Sequence, residues 1–68
     1  MIDTEFLLVQ RTSKNLTRRF VASELGISEG TLYQIETGKL DNPSSRIIGN
    51  LANFYGVTTD SILGREQE

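Results

Sequence analysis

Apolar positions along the chain fall in short clusters at helical spacing, and most clusters are closed by a glycine. Gly26, Gly38, Gly56 and Gly64 each follow such a stretch, as residues just beyond a helix end do. Asn15 takes the same place after the first cluster, because asparagine tolerates the left-handed conformation. Residues that cap helix N-termini open the segments: Asp3 or Thr4, Thr17, Ser28, Ser44 and Thr58. Pro43 fixes the backbone just ahead of the fourth segment. The punctuation predicts five short helices, at roughly 4–14, 18–25, 29–37, 45–55 and 59–63. No stretch alternates with a period of two, so no sheet is expected.

The same spacing assigns inward faces. They comprise Leu7; Val21, Ala22 and Leu25; Leu32 and Ile35; Ile48, Leu51, Ala52 and Tyr55; and Ile62 and Leu63. Leu16, Ile27 and Val57 fall between helices, where they plug corners. The fold class is therefore all-α, a compact five-helix domain over residues 1–64, with 65–68 as a flexible tail.

Composition narrows the function. A chain of 68 residues makes one small domain that buries only about 60% of its unfolded surface. It contains neither cysteine nor histidine, so disulfides and the usual structural zinc sites are excluded, and no metal or other cofactor is expected. The same gap, with no glycine-rich phosphate loop and no carboxylate pair in a plausible cleft, argues against an enzyme. The opening "MIDTEFLLVQ" holds an apolar run of four residues behind an acid, which is neither a signal peptide nor a membrane span. A cytoplasmic protein is expected.

Net charge is −2, which at first disfavours a nucleic-acid partner. The acids, however, collect at the ends: Asp3, Glu5, Glu66 and Glu68, with Arg65 the one base beside them. Between Phe6 and Gly64, six basic residues face five acidic ones, so the middle is +1. Where those charges point matters more than their total.

The second helix, a corner at "GIS" and the third helix together form a helix-turn-helix candidate. Around it stand Arg11, "LT" at 16–17, Ala22, "LGIS" at 25–28, "IETGK" at 35–39, "NPS" at 42–44, "LA" at 51–52 and "GV" at 56–57. This succession resembles the lambda-repressor and Cro-like helix-turn-helix family, also called the xenobiotic-response-element family, over nearly the whole chain and with its spacing kept. Departures are Arg18 where the family carries glutamine, Ser45 where it carries an apolar residue, and a "GKLDNP" loop one residue longer than the commonest form. Gly49 lies inside helix four, where it costs roughly 1 kcal/mol relative to alanine unless close packing requires it.

The resemblance implies a sequence-specific DNA-binding regulator, a repressor from a phage, mobile element or bacterial chromosome, acting on the nucleoid as a homodimer on a two-fold symmetric operator. It also implies a buried pair between Arg11 and Glu36; independently, a charge between core-facing Ile35 and terminal Gly38 needs a partner. Arg18 and Arg19 open helix two, where basic residues oppose the macrodipole, and folding alone supplies no reason for both. A bound phosphate does. Arg18 fills the family's phosphate-contacting position, and Lys14, Thr31, Thr37, Lys39 and Arg46 are further backbone candidates.

Base contacts are expected from Glu29, Gly30, Tyr33 and Gln34. Gln34 suits adenine, Glu29 accepts from a cytosine amino group, and Tyr33 donates to a phosphate or lies on a thymine methyl. Glu29 is explained almost equally well as an acid complementing the helix N-terminus. Phe54, Thr59, Ile62 and Leu63 are the expected dimer interface, on helix five and the region before it. Phe20 either packs on Phe6 or meets a regulatory protein partner. The competing reading is an antitoxin or protein-interaction adaptor on the same fold, which the exposed-looking phenylalanines Phe6, Phe20 and Phe54 suit.

Overall fold

A computed structural model describes residues 2–64 of the chain; the tail expected at 65–68 lies outside the described residues. Five helices follow one another: α1 (Thr4–Ser13), α2 (Arg18–Leu25), α3 (Glu29–Thr37), α4 (Ser45–Tyr55) and α5 (Thr59–Ile62). All five begin with a side-chain cap of the same geometry. The oxygens of Asp3, Thr17, Ser28, Ser44 and Thr58 accept from the backbone N–H three residues on. Each satisfies one of the donors that a helix start leaves unpaired, typically about 1 kcal/mol of stability.

The ends are set by backbone conformation. Asn15 adopts φ 57° beyond α1, and Gly26 adopts φ 71° at the end of α2. A Cβ at Gly26 would meet nothing within 4 Å, so glycine is required there by the left-handed turn and not by crowding. That turn lets Ile27 N–H reach back to the Ala22 carbonyl at 3.0 Å, which closes α2 and sends the chain into α3. Lys14 and Leu63, expected as the last residues of α1 and α5, are instead their C-caps.

The core joins Leu7, Val21, Ala22, Leu32, Ile35, Leu51, Ala52, Tyr55 and Ile62, all from the inward faces that the periodicity assigns. Leu25, Ile48 and Leu63 pack against this core but stay partly exposed. Ile2 is an addition: it is 5% exposed although it precedes every helix. The Asp3 N–H donates to the Ile62 carbonyl at 2.8 Å, tying the first residues to the end of α5. α3 packs against both α1 and α2, so the helix-turn-helix rests on the first helix as well as on its own partner.

A candidate nucleic-acid interface

Leu32 and Ile35 are wholly buried and fix the roll of α3. The remainder of the helix is thereby presented to solvent: Glu29, Gly30, Tyr33, Gln34 and Thr37 are exposed and Thr31 is half-buried. A Cβ at Gly30 would meet only the Ser28 hydroxyl, at 4.0 Å, so no packing demands a glycine there. The two threonines are already engaged. Thr31 Oγ1 lies 2.8 Å from Ser28 Oγ, and Thr37 Oγ1 donates to the Tyr33 carbonyl at 2.9 Å. A phosphate contact by Thr37 would take the proton from that carbonyl.

Under this surface, one carboxylate joins three helices. Arg11 Nε donates to Glu36 Oε2 at 2.8 Å, and Arg18 Nε donates to Glu36 Oε1 at 3.1 Å. Arg11 Nη1 also donates to the Leu16 carbonyl at 3.0 Å, fastening the loop after α1. The Glu36 side chain is 2% exposed, that of Arg11 11% and that of Arg18 30%. Two guanidinium groups on one carboxylate leave a net charge of +1, and Arg18 carries it toward solvent.

Arg18 therefore has a folding role as well, which corrects the expectation that both arginines at the start of α2 lack one. The pair separates: Arg18 is half-buried on Glu36, while Arg19 is exposed and has no ion-pair partner among the described residues. Arg18 Cζ also lies over the Tyr33 ring, 5.0 Å from its centroid, and Lys39 Nζ lies 5.9 Å from the same centroid. Arg46 is exposed on the first turn of α4, beside the Leu25–Ile27 corner. Lys14 is turned elsewhere, donating to Gln10 Oε1 at 3.3 Å with its ammonium 5.9 Å from the Tyr55 ring centroid.

Tyr55 is a residue whose chemistry the sequence did not single out. Its hydroxyl is buried without a hydrogen-bond partner among the described residues. Burial, and then the charge of Glu36, push its pKa up to about 12, with Arg11 pulling the other way. No periodicity reveals this, since the charges that act on the phenol, Glu36 and Arg11, lie on other helices.

Of the expected dimer residues, Phe54 and Leu63 are half-buried and Thr59 is exposed. Ile62 is a correction: its exposure is 0%, so it fills the core of its own chain and has no surface for a second copy. The Phe54 ring meets Tyr55 edge-on, with centroids 5.1 Å apart. Phe20 stays 47% exposed and makes no ring contact with Phe6 among the described residues. Leu8 and Val9 on α1 are likewise exposed. No described helix is long and apolar enough to cross a membrane.

The family described as Helix-turn-helix matches over residues 9–62, most of the chain. An uncharacterised HTH-type transcriptional regulator of Methanocaldococcus jannaschii is 38% identical over 58 residues, covering 85% of this chain and 86% of the relative. The HTH-type transcriptional regulator AnsR of Bacillus subtilis is 34% identical over 58 residues, again 85% of this chain but 49% of the relative. No solved structure matches.

Proposed function

The chain belongs to the Cro/C1-type helix-turn-helix family, and from that premise we propose that it is a sequence-specific DNA-binding transcriptional regulator. α3 enters the major groove and α2 meets the flanking backbone with its first turn. The observation that carries this reading is the division of labour between the two helices. α3 presents Gln34, Glu29 and a bare Gly30, while the cationic groups lie at Arg18 and Arg19 on α2 and Lys39 beyond α3. Phosphate contacts supply affinity and base edges supply specificity, and the surface separates the two in the same way.

The protein acts as a repressor by occupying its operator, as a homodimer on two half-sites roughly 34 Å apart. One α3 reads too few bases for selectivity alone, so pairing through Phe54, Thr59 and Leu63 supplies the second set. The nucleoid is its place of work. A salt-dependent gel shift on genomic fragments tests the reading: binding that weakens steeply with added salt supports it. No binding at low salt defeats it.

A second reading has its own observation. Leu8, Val9 and Phe20 are exposed apolar side chains on α1 and α2, off the recognition helix, and suit an antitoxin or adaptor whose partner is a protein. Failure of the gel shift together with capture of a defined protein partner would favour it.

A further inference from the structure

Tyr33 sits on the exposed face of α3, yet its ring belongs to a cationic cluster. Arg18 and Lys39 both approach within 6 Å of its centroid, one from the start of α2 and one from beyond the end of α3. The attraction of a cation for an aromatic face holds each of them there. The two cations repel each other, and Lys39 has no acidic partner among the described residues. An anion placed against both relieves that repulsion.

Arg18 is prepared for such an anion. Its Nε–H is committed to Glu36, which Arg11 holds from the other side. A guanidinium has five N–H donors, and no hydrogen bond from the Arg18 terminal amino groups occurs among the described residues. Arg11 differs, because the Leu16 carbonyl takes one of its terminal groups. The unbalanced charge of the trio therefore faces outward at Arg18, beside the Tyr33 ring.

Building on the DNA-binding reading above, we propose that Tyr33 works on the phosphate side of the interface and reads no base. With Arg18 and Lys39 it forms one site for a single backbone phosphodiester. The ring is a platform that holds both cations, and Glu36 is a positioning residue acting through Arg18. Base discrimination then falls to Glu29, Gly30 and Gln34.

The test uses the full chain and a duplex recovered from a random-sequence pool, with salt titrations and a panel of single-base-pair changes. Tyr33→Phe keeps the ring and weakens binding less than Tyr33→Leu does. Tyr33→Leu weakens binding about two- to fivefold, the scale of an exposed cation–π contact, by the same factor across the whole panel. Arg18→Ala lowers the salt slope by about 0.9, one phosphate. Adding Tyr33→Leu to Arg18→Ala weakens binding by less than the product of the two single losses, because the platform has lost its main cation. Neither Tyr33 variant touches Glu36, so the platform is tested even where Arg18→Ala impairs folding. A Tyr33→Leu protein that relaxes preference at one base pair overturns the inference, as does a Tyr33→Phe loss equal to that of Tyr33→Leu. Multiplying losses in the double variant also overturn it. Those results leave DNA binding itself intact, whereas a wild type that binds no duplex overturns the DNA-binding reading and this inference with it.

Discussion

Arg18 and Glu36 stand 18 residues apart in sequence and meet at 3.1 Å, on a carboxylate that Arg11 already holds at 2.8 Å. Helices α1, α2 and α3 are thus locked through one side chain. The two arginines are not equivalent. Arg11 is nearly enclosed and also supports the Leu16 carbonyl, whereas Arg18 is about a third exposed.

Glu36→Gln should destabilise strongly, by about 3–5 kcal/mol, because an amide cannot accept at both ends and leaves a nearly buried guanidinium unbalanced. For a chain whose total stability is of order 3–10 kcal/mol, that approaches unfolding at room temperature. Arg11→Ala should come close to the same loss, and Arg18→Ala should cost about 1 kcal/mol or less. Urea titrations of the three variants check the order. Equal losses for the two arginines would refute the asymmetry.

Arg19→Ala should separate binding from stability. The side chain is exposed and sits where a positive charge opposes the α2 macrodipole, so its removal should leave the melting temperature unchanged or slightly higher. The salt slope of DNA binding should fall by about 0.9. A normal slope in titrations from low to moderate salt would remove Arg19 from the interface.

Gly49→Ala should stabilise the protein. A Cβ at this position in α4 meets nothing within 4 Å, so no packing reason offsets the entropy that glycine loses in a helix. The gain should be about 0.5–1 kcal/mol, raising the melting temperature by roughly 4 °C or more. Gly26→Ala should do the reverse, because its φ of 71° is costly for any residue with a Cβ. Thermal melts followed by circular dichroism measure both. A fall on Gly49→Ala would mean that the site is not open.

Tyr55→Phe should not lower the melting temperature at neutral pH, since the hydroxyl it removes is buried without a hydrogen-bond partner. The phenol also sets an alkaline limb. Its native pKa of about 12 lies above the ordinary 10, so the native state holds the proton more tightly than the unfolded chain does. Stability is therefore full below pH 10 and declines between pH 10 and 12, where the unfolded chain ionises first. Melting curves across that range should show the decline in the wild type and a smaller one in Tyr55→Phe. Parallel declines would place the effect elsewhere.

Most of the fold was legible because it rests on local rules. Cap residues, left-handed turn residues and a helical apolar spacing mark each element within a residue or two, and the inward faces follow from Val21 and Ala22 on α2 and from Leu32 and Ile35 on α3. What the sequence hid is long-range. Ile2 joins the core only because Asp3 bonds to Ile62, and Ile62 looked available to a second chain until the packing of α5 enclosed it. The candidate site divides in the same way. Helical spacing exposes Glu29, Tyr33 and Gln34, but nothing local shows that Arg18 turns inward to Glu36 or that Tyr33 carries two cations.

The central claim is that α3 reads a defined DNA sequence in two symmetric copies. Selection of bound duplexes from a random-sequence pool, followed by alignment of the survivors, measures this directly. The account predicts a two-fold symmetric site whose half-site centres lie about one helical turn apart, roughly 34 Å. Recovery of no preferred sequence, at salt low enough to retain backbone contacts, would contradict it.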